Sequence, residues 1–308
     1  MNQNQYKCHF CAVCNGCGCI SELPGMGGFA ENVNFKLNCA DWNVLAGKYS
    51  CNAGMTHAAF DEPCGSGAEA SLPEIRLAPV TGAVENVGYP DEKQFYFDLI
   101  EAACIADVKL SIGDGCPDEK LLYGIEALKQ NGRNAAVFIK PYPQLRFFER
   151  MEWAYPVAEY IGIDIDSFNI VTMRNKVNLE KKTESQLKEQ KAAAARQGIP
   201  FAVKGVFTEA DIALMEAVLP DVIVVSNHGG RVENEIGSTA AFLEKNSSRL
   251  KNCCGGLWVD GGIRNASHLK AAGLFGVSEV MLGRPLITGL CRDGKDGMKN
   301  TLKAFWGE

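Results

Sequence analysis

Short runs of apolar residues, many of them β-branched, recur along the chain from residue 75 onward, and stretches with helical periodicity separate them. Continuous apolar runs of this length are typical of parallel strands that are buried on both faces. The predicted strands span residues 75–80, 107–112, 135–140, 162–166, 201–205, 221–225, 256–260 and 277–282. The predicted helices span residues 91–104, 117–130, 144–160, 183–197, 208–218, 265–272 and 286–305.

This alternation of strand and helix predicts an α/β fold, the (β/α)8 TIM barrel. A doubly wound open sheet would need a glycine-rich fingerprint after the first strand, and Ala78-Pro79-Val80-Thr81-Gly82 does not supply one. We therefore expect residues 75–308 to form the barrel, and residues 1–74 to form a Cys-rich N-terminal segment with a lead-in.

Polar residues close most of the predicted strands, at the end where a barrel builds its active site. In strand order they are Thr81, Lys140, Asp164, Asp166, Lys204, Ser226, His228, Asp260 and Arg284. Burying a charged residue within an apolar run costs free energy unless the charge is paired or binds a ligand. The charged residues at these strand ends therefore favour a functional site. Gly261-Gly262 and Gly283, together with Arg264 and Arg284, are typical of a phosphate site at strands seven and eight.

Four stretches in the second half of the chain resemble the FMN-dependent α-hydroxy acid oxidase/dehydrogenase family, the group that contains glycolate and lactate oxidases. They are Val203-Lys204-Gly205-Val206, Ser226-Asn227-His228-Gly229-Gly230-Arg231, Asp260-Gly261-Gly262-Ile263-Arg264 and Gly283-Arg284-Pro285. The resemblance implies an oxidoreductase that acts on CH–OH groups. It would bind FMN and oxidise a small L-2-hydroxy acid to the 2-oxo acid.

The resemblance also implies a role for each matching residue. His228 would be the catalytic base, Arg231 would bind the substrate carboxylate, and Lys204 would lie at the N1–O2 edge of the flavin. Asp166 is expected to stabilise the His228 imidazolium, with Asp164 as the alternative. The remaining flavin contacts would come from Pro79, Val80, Thr81, Ser226, Asp260, Gly262, Arg264, Gly283 and Arg284.

The chain departs from the family at positions that face the substrate. The family has Gln-x-Tyr at the end of the third strand, where this chain has Ile139-Lys140-Pro141, and the family's N-terminal tyrosine has no counterpart. Arg174 is only a positional candidate for a second carboxylate-binding arginine. These differences keep two other functions open, an FMN-dependent isomerase or reductase on the same barrel and a flavin- or metal-binding redox sensor.

Five cysteines lie within twelve residues near the start of the chain, a segment that the ordinary oxidase family lacks: Cys8, Cys11, Cys14, Cys17 and Cys19. The Cys-x₂-Cys rhythm predicts one metal centre held by Cys8, Cys11, Cys14 and Cys17, with Cys19 able to substitute. A [4Fe-4S] cluster is the first expectation. Zinc in a Cys₄ site and unliganded thiols are the alternatives.

Composition argues against nucleic-acid-binding, membrane-spanning and disulfide-rich proteins. The 308 residues are 46% hydrophobic and 22% charged, and the net charge of -6 argues against a general nucleic-acid surface. No apolar run has transmembrane length, and the start of the chain lacks the features of a signal peptide, so thirteen cysteines do not indicate a disulfide framework. We expect a cytoplasmic homo-oligomer that acts on a small 2-hydroxy acid and passes electrons to oxygen or to a protein.

Overall fold

The computed structural model describes residues 33–50, 72–87, 89–169, 173, 176–232 and 235–307. Within them, eight parallel strands form one sheet in the order β1-β8-β7-β6-β5-β4-β3-β2. The strands are β1 (Glu74–Leu77), β2 (Ser111–Gly113), β3 (Ala135–Ile139), β4 (Ala158–Asp164), β5 (Phe201–Val206), β6 (Val222–Val225), β7 (Gly256–Asp260) and β8 (Glu279–Leu282). Backbone hydrogen bonds join β1 to Lys109, just before β2, so the sheet closes. The predicted (β/α)8 TIM barrel is confirmed.

Helices alternate with these strands in the described part of the chain. They are α1 (Val33–Ser50), α2 (Glu92–Ile105), α3 (Glu119–Gln130), α4 (Gln144–Ala154), α5 (Glu184–Arg196), α6 (Glu209–Val218), α7 (Thr239–Lys251), α8 (Ala266–Leu274), α9 (Arg284–Asp293) and α10 (Gly297–Trp306). Local chemistry explains several starts. The side chains of Thr183 and Thr208 accept from the third helical N–H of α5 and α6, and each forms a reciprocal capping box.

Two predicted helices are too long. The helix predicted at residues 144–160 ends at Ala154, because Pro156 cannot continue it, and the chain enters β4 at Ala158 instead. The helix predicted at 286–305 is two helices, α9 and α10, separated around Gly294.

Other boundaries differ from the sequence prediction in ways that bear on the site. The structure adds α7, which the sequence analysis did not predict, although Ser238 caps it by accepting from the backbone N–H of Ala241. The strand β4 ends at Asp164, so Asp166 lies in the 3₁₀ turn that follows rather than in the strand.

Strand alternation divides the apolar residues into two layers. One large core lies between the strands and the helices, and a smaller cluster fills the inside of the barrel. The inner cluster consists of Ala136, Phe138, Ala202, Val222, Val224, Trp258 and Met281. Gly162 completes it, because a Cβ there would lie 2.5 Å from Cδ1 of Phe138. The interior is therefore packed below the site.

A buried ion cluster closes the N-terminal end of the barrel. The Arg76 guanidinium is fully buried, donates to Glu279 at 2.5 Å and to Glu159 at 3.0 Å, and stacks 4.7 Å from the ring centroid of Trp258. Because two carboxylates balance its charge, the arginine can lie inside a packed core.

The predicted N-terminal segment is described at residues 33–50, which form α1, and at residues 72–74, the last of which begins β1. The five clustered cysteines and Arg174 lie outside the described residues, and the division at residue 75 stays a prediction. Among the described helices, none combines the length and apolar character needed to cross a membrane.

Candidate active site

The same alternation that builds the inner core carries polar side chains to its C-terminal end. Each lies two residues beyond an inward-facing core residue or glycine, and so on the same face of its strand. They are Lys140 after Phe138, Asp164 after Gly162, Lys204 after Ala202, Ser226 after Val224 and Asp260 after Trp258. All five side chains are buried. The sequence therefore dictates a polar layer on top of an apolar one.

Asp164 lies between two lysines. One carboxylate oxygen is 2.7 Å from Nζ of Lys140, and the other is 3.3 Å from Nζ of Lys204. Burial alone opposes the charge on Asp164, but the two ammonium groups outweigh it and hold the pKa of Asp164 well below its usual value. Burial also opposes the charge on Lys204, yet Asp164 and Asp260 raise its pKa above the usual value. Both groups are charged at neutral pH.

Lys204 extends this network to the next two strands. Its Nζ donates to Oγ of Ser226 at 3.1 Å and lies 3.3 Å from Oδ2 of Asp260. The other oxygen of Asp260, Oδ1, is buried and has no hydrogen-bond partner among the described residues. A buried carboxylate oxygen without a donor is costly, so it points to a ligand that donates to it.

His228 is held by a carboxylate from the 3₁₀ turn that follows β4. Its Nδ1 lies 3.0 and 3.1 Å from the two oxygens of Asp166, and its backbone N–H donates to Ser226 at 3.1 Å. The close approach of Asp166 requires Gly205, because a Cβ at that position would lie 2.5 Å from Cγ of Asp166. The structure thus places Asp166 on the imidazole, and it places Asp164, the alternative in the sequence analysis, between the lysines.

The second ring nitrogen of His228 has an unexpected neighbour. Nε2 lies 3.3 Å from Nζ of Lys140. An ammonium group donates hydrogen bonds and cannot accept them, so Nε2 accepts, and Nδ1 carries the proton that is donated to Asp166. Burial lowers the pKa of His228; Asp166 opposes this, and Lys204 and Lys140 reinforce it. At neutral pH the ring is therefore a neutral base.

The backbone at His228 adopts a left-handed conformation that is strained for a residue other than glycine. His228 has φ 57°, in the left-handed region, followed by Gly229 at 64° and Gly230 at 92°. The side chain of Asn227 stabilises the turn by accepting from the N–H of Gly230 at 3.0 Å, and Arg284 donates to the carbonyl of Gly229 at 3.0 Å. This turn directs the imidazole toward the lysines.

Helix α1 supports the same turn from outside the barrel. Asn38 and Asn227 exchange side-chain amide hydrogen bonds at 2.8 and 3.1 Å, and the indole N–H of Trp42 donates to the carbonyl of Gly261 at 2.8 Å. The backbone of α1 comes so close that a Cβ at Gly262 would lie 2.1 Å from the carbonyl oxygen of Asn38. The sequence pattern predicts neither a helix nor a strand at residues 33–50.

A cleft that is partly open to solvent lies over the polar layer. It is lined by His228, Arg231, Lys140 and Lys204, and by the predicted cofactor residues, which are Pro79, Val80, Thr81, Asp260, Gly262, Arg264, Gly283 and Arg284. Ser226, the remaining predicted cofactor residue, lies below these and contacts Lys204 and His228. Burial lowers the pKa of Arg231 to about 10, so the guanidinium stays charged at neutral pH.

This cleft has the features that FMN requires. Its lining comes from the ends of β1, β3 and β5 to β8, and it includes Arg264 and Arg284 for a phosphate and the Lys204 ammonium for a negatively charged ring edge. The unsatisfied Oδ1 of Asp260 can accept from a ribityl hydroxyl. The residues present therefore fit the cofactor.

Several known proteins are similar to this chain in sequence. Residues 136–308 match the family described as FMN-dependent dehydrogenase. A 2-hydroxyacid oxidase of Dictyostelium discoideum is 38% identical over 104 residues, which are 34% of this chain and 26% of the relative. A peroxisomal (S)-2-hydroxyacid oxidase of Arabidopsis thaliana is 35% identical over 104 residues, 34% of this chain and 28% of that enzyme. The aligned segment thus spans less than a third of these relatives.

Solved structures agree on the fold. A crystal structure of mandelate oxidase with 3,3-difluoro-2-hydroxy-3-phenylpropionic acid superimposes with a TM-score of 0.62. It covers 92% of this chain and 87% of that chain at 19% sequence identity. At this identity the likeness establishes the barrel and not the substrate.

Gly205→Ala is expected to separate Asp166 from His228. Both Gly205 (φ +96°) and Gly198 (φ +69°) have backbones that strain an alanine by about 1–2 kcal/mol, but only at Gly205 does the new Cβ meet Asp166. Because Asp166 is the neighbour that most raises the pKa of His228, Gly205→Ala lowers that pKa further. The measurement is an NMR titration of the imidazole together with urea unfolding.

Gly198→Ala is the matched control, since a Cβ there meets nothing within 4 Å. It is expected to lower stability by the backbone strain alone and to leave the imidazole titration unchanged. Equal effects of the two substitutions on His228 would contradict the role given to Asp166.

Proposed function

The chain belongs to the family of FMN-dependent dehydrogenases, and on that premise we propose that it oxidises a small L-2-hydroxy acid to the 2-oxo acid. The observation that carries the proposal is the neutral His228, hydrogen-bonded to Asp166 at 3.0 Å, in a cleft that also contains Arg231. This combination offers a base for a proton and a cation for a carboxylate within one cleft.

The cofactor site is assigned to the ends of β1 and β5 to β8. Arg264 and Arg284, with the backbone at Gly262 and Gly283, would hold the phosphate, and Asp260 would accept from the ribityl chain. Pro79, Val80, Thr81 and Ser226 would border the ring system, and Lys204 would lie at its N1–O2 edge. Bound FMN supplies the acceptor for two electrons and one hydrogen of the substrate.

The protein's own groups do the rest of the chemistry. Oxidation of a CH–OH group removes two protons and two electrons from the substrate, and one of the protons passes to a base. Nε2 of His228 takes that proton, and the imidazolium that forms keeps its Nδ1–H bond to Asp166. Arg231 binds the carboxylate with its planar fork and so fixes the position of the α-carbon.

A reductase or isomerase that uses the same cleft is the second candidate. The Lys140 ammonium beside Nε2 favours it, because a cation at that point polarises a carbonyl oxygen as readily as it binds a hydroxyl. Reduction of the flavin by hydroxy acids separates the two functions.

Cys8, Cys11, Cys14 and Cys17 are proposed to hold one metal centre, with a [4Fe-4S] cluster favoured over zinc. A cluster would direct electrons to a protein acceptor and make the enzyme a dehydrogenase, whereas zinc would be structural. A cytoplasmic location and a homo-oligomeric state remain proposals from the sequence.

Replacing Arg264 by alanine is expected to reduce the FMN content of the purified protein, and the double variant with Arg284→Ala should lose nearly all of it. Arg284 also holds the carbonyl of Gly229, so Arg264→Ala is the cleaner substitution. The measurement is the ratio of flavin to protein absorbance, with circular dichroism to verify folding. Arg249→Ala, on the exposed face of α7, is the control that keeps its flavin. Full occupancy in a folded double variant would refute the phosphate site.

His228→Gln is expected to keep FMN bound and to slow its reduction by roughly 10²-fold or more, the usual worth of a positioned acid–base group. Anaerobic stopped-flow mixing with a panel of L-2-hydroxy acids measures this rate. Lys188→Gln, on the exposed face of α5, is the control and should be reduced at the wild-type rate. If no hydroxy acid reduces the wild-type flavin, the reductase or isomerase takes the place of this proposal.

Protein purified without oxygen is expected to contain iron, or zinc under the alternative, and to lose it when Cys8, Cys11, Cys14 and Cys17 are all replaced by serine. Elemental analysis measures both metals. Cys104→Ser, in α2, is the control that keeps the metal. Wild-type protein with neither metal would end the proposal.

A further inference from the structure

We propose that Lys140 is a catalytic residue whose ammonium group binds the α-oxygen of the substrate beside Nε2 of His228. The inference rests on the proposed function, because it assigns a residue to the substrate of that reaction. It is carried by a buried lysine that directly follows β3, lines the cleft and lies against the proton-accepting atom of the base.

The position of Nζ follows from two contacts. It lies 2.7 Å from Oδ2 of Asp164 and 3.3 Å from Nε2 of His228, and the side chain is 7% exposed. Since Lys140 lines the cleft, a ligand oxygen that reaches Nε2 also comes within reach of Nζ. Three donor hydrogens on a flexible stem let the ammonium keep Asp164 while it turns from Nε2 to the ligand.

The backbone beneath Lys140 is rigid. Its N–H donates to Oδ2 of Asp114 at 3.3 Å, and Arg150 donates to the other oxygen of Asp114 at 2.7 Å. The carboxylate, the guanidinium and the lysine are all buried. The end of β3 is therefore anchored, and only the lysine side chain remains free to adjust to a ligand.

A purely structural role does not account for this arrangement. Two lysines, Lys140 and Lys204, balance the carboxylates of Asp164 and Asp260. That balance does not require Nζ of Lys140 to lie 3.3 Å from Nε2 of His228. A second ammonium on Asp164, placed against the base, adds repulsion as soon as Nε2 becomes protonated. That repulsion has a purpose only if negative charge develops between the two cations.

The α-oxygen of the substrate supplies that negative charge. As its proton moves to Nε2, the oxygen gains electron density, and Lys140 and the new imidazolium both stabilise it. Asp164, Asp166 and Lys204 are the other charged groups that act on His228, and none of them is placed between the ring and the α-oxygen in this scheme. The same charges disfavour a metal ion at Asp164, Asp166 and His228, although their ligand atoms lie within 4.8 Å of one another.

Pyruvate and propionate separate the contribution of the α-oxygen from that of the carboxylate, since pyruvate has a carbonyl oxygen where propionate has two hydrogens. Isothermal titration calorimetry of the flavin-loaded full chain is expected to show that Lys140→Met weakens pyruvate binding about 10- to 100-fold, the usual worth of a hydrogen bond to a charged group. Propionate binding should be nearly unchanged, because Arg231 remains. Lys140→Arg should restore part of the preference for pyruvate. Lys188→Met, on the exposed face of α5, is the control that leaves both acids at wild-type affinity.

A second readout, the titration of His228, does not depend on ligand or turnover. Because Lys140 is one of the groups that lower the pKa of His228, Lys140→Met is expected to raise that pKa in an NMR titration. In kinetics, the loss of activity on the acid side should move to higher pH, and flavin reduction should slow by roughly 10²-fold or more.

Each contrary outcome has a separate meaning. An unchanged titration of His228 in Lys140→Met shows that the two groups do not interact and overturns the inference. A raised pKa with equal losses for pyruvate and propionate, or with no loss, shows that Lys140 only tunes the base and also overturns it. No pyruvate binding to the wild type does the same. Failure of every hydroxy acid to reduce the wild-type flavin refutes the proposed function, while the titration still reports on the contact.

Discussion

Asp164 is the charge on which the interior of the site depends. Two ammonium groups, those of Lys140 and Lys204, lie inside the barrel within 3.3 Å of its oxygens. Without the carboxylate between them, these lysines would be buried charges in a medium where desolvation is costly. With it, one lysine reaches toward β6 and β7 and the other toward the base. One carboxylate of β4 thus allows both lysines to lie buried and charged beside the cleft.

The position of the base depends in turn on a segment far away in the sequence. Asn38 of α1 pairs with Asn227, and Asn34 accepts from the N–H of Gly237 at 2.9 Å and donates to the carbonyl of Val232 at 2.8 Å. These bonds hold both sides of the loop that follows His228. Helix α1 therefore acts as part of the barrel's C-terminal face, and the left-handed backbone of the histidine is stabilised by contacts outside its own loop.

Periodicity in the sequence was enough to predict the eight strands and the polar layer above them, because a strand places every second residue on one face. It was not enough to choose between Asp164 and Asp166, since Asp166 lies in a turn where that alternation ends. Lys140 was predicted to lie at a strand end and was noted as a departure from the family, but it was given no role, although its spacing from Phe138 placed it inward. Helix α1 was missed because Val33 and Val44 are exposed, so its apolar residues do not follow one face.

Buried charge by itself does not identify an active site, and this barrel contains the comparison within one molecule. At the N-terminal end, Arg76 is satisfied by Glu279 and Glu159 and covered by Trp258, so the cluster can only stabilise the fold. At the C-terminal end, Asp260 keeps a buried oxygen without a partner among the described residues, and a cleft lies above it. The two ends of the barrel differ in whether a buried polar atom is left without a hydrogen-bond partner from the protein. Such an atom can bind a ligand, and it identifies the functional end better than the presence of buried charges does.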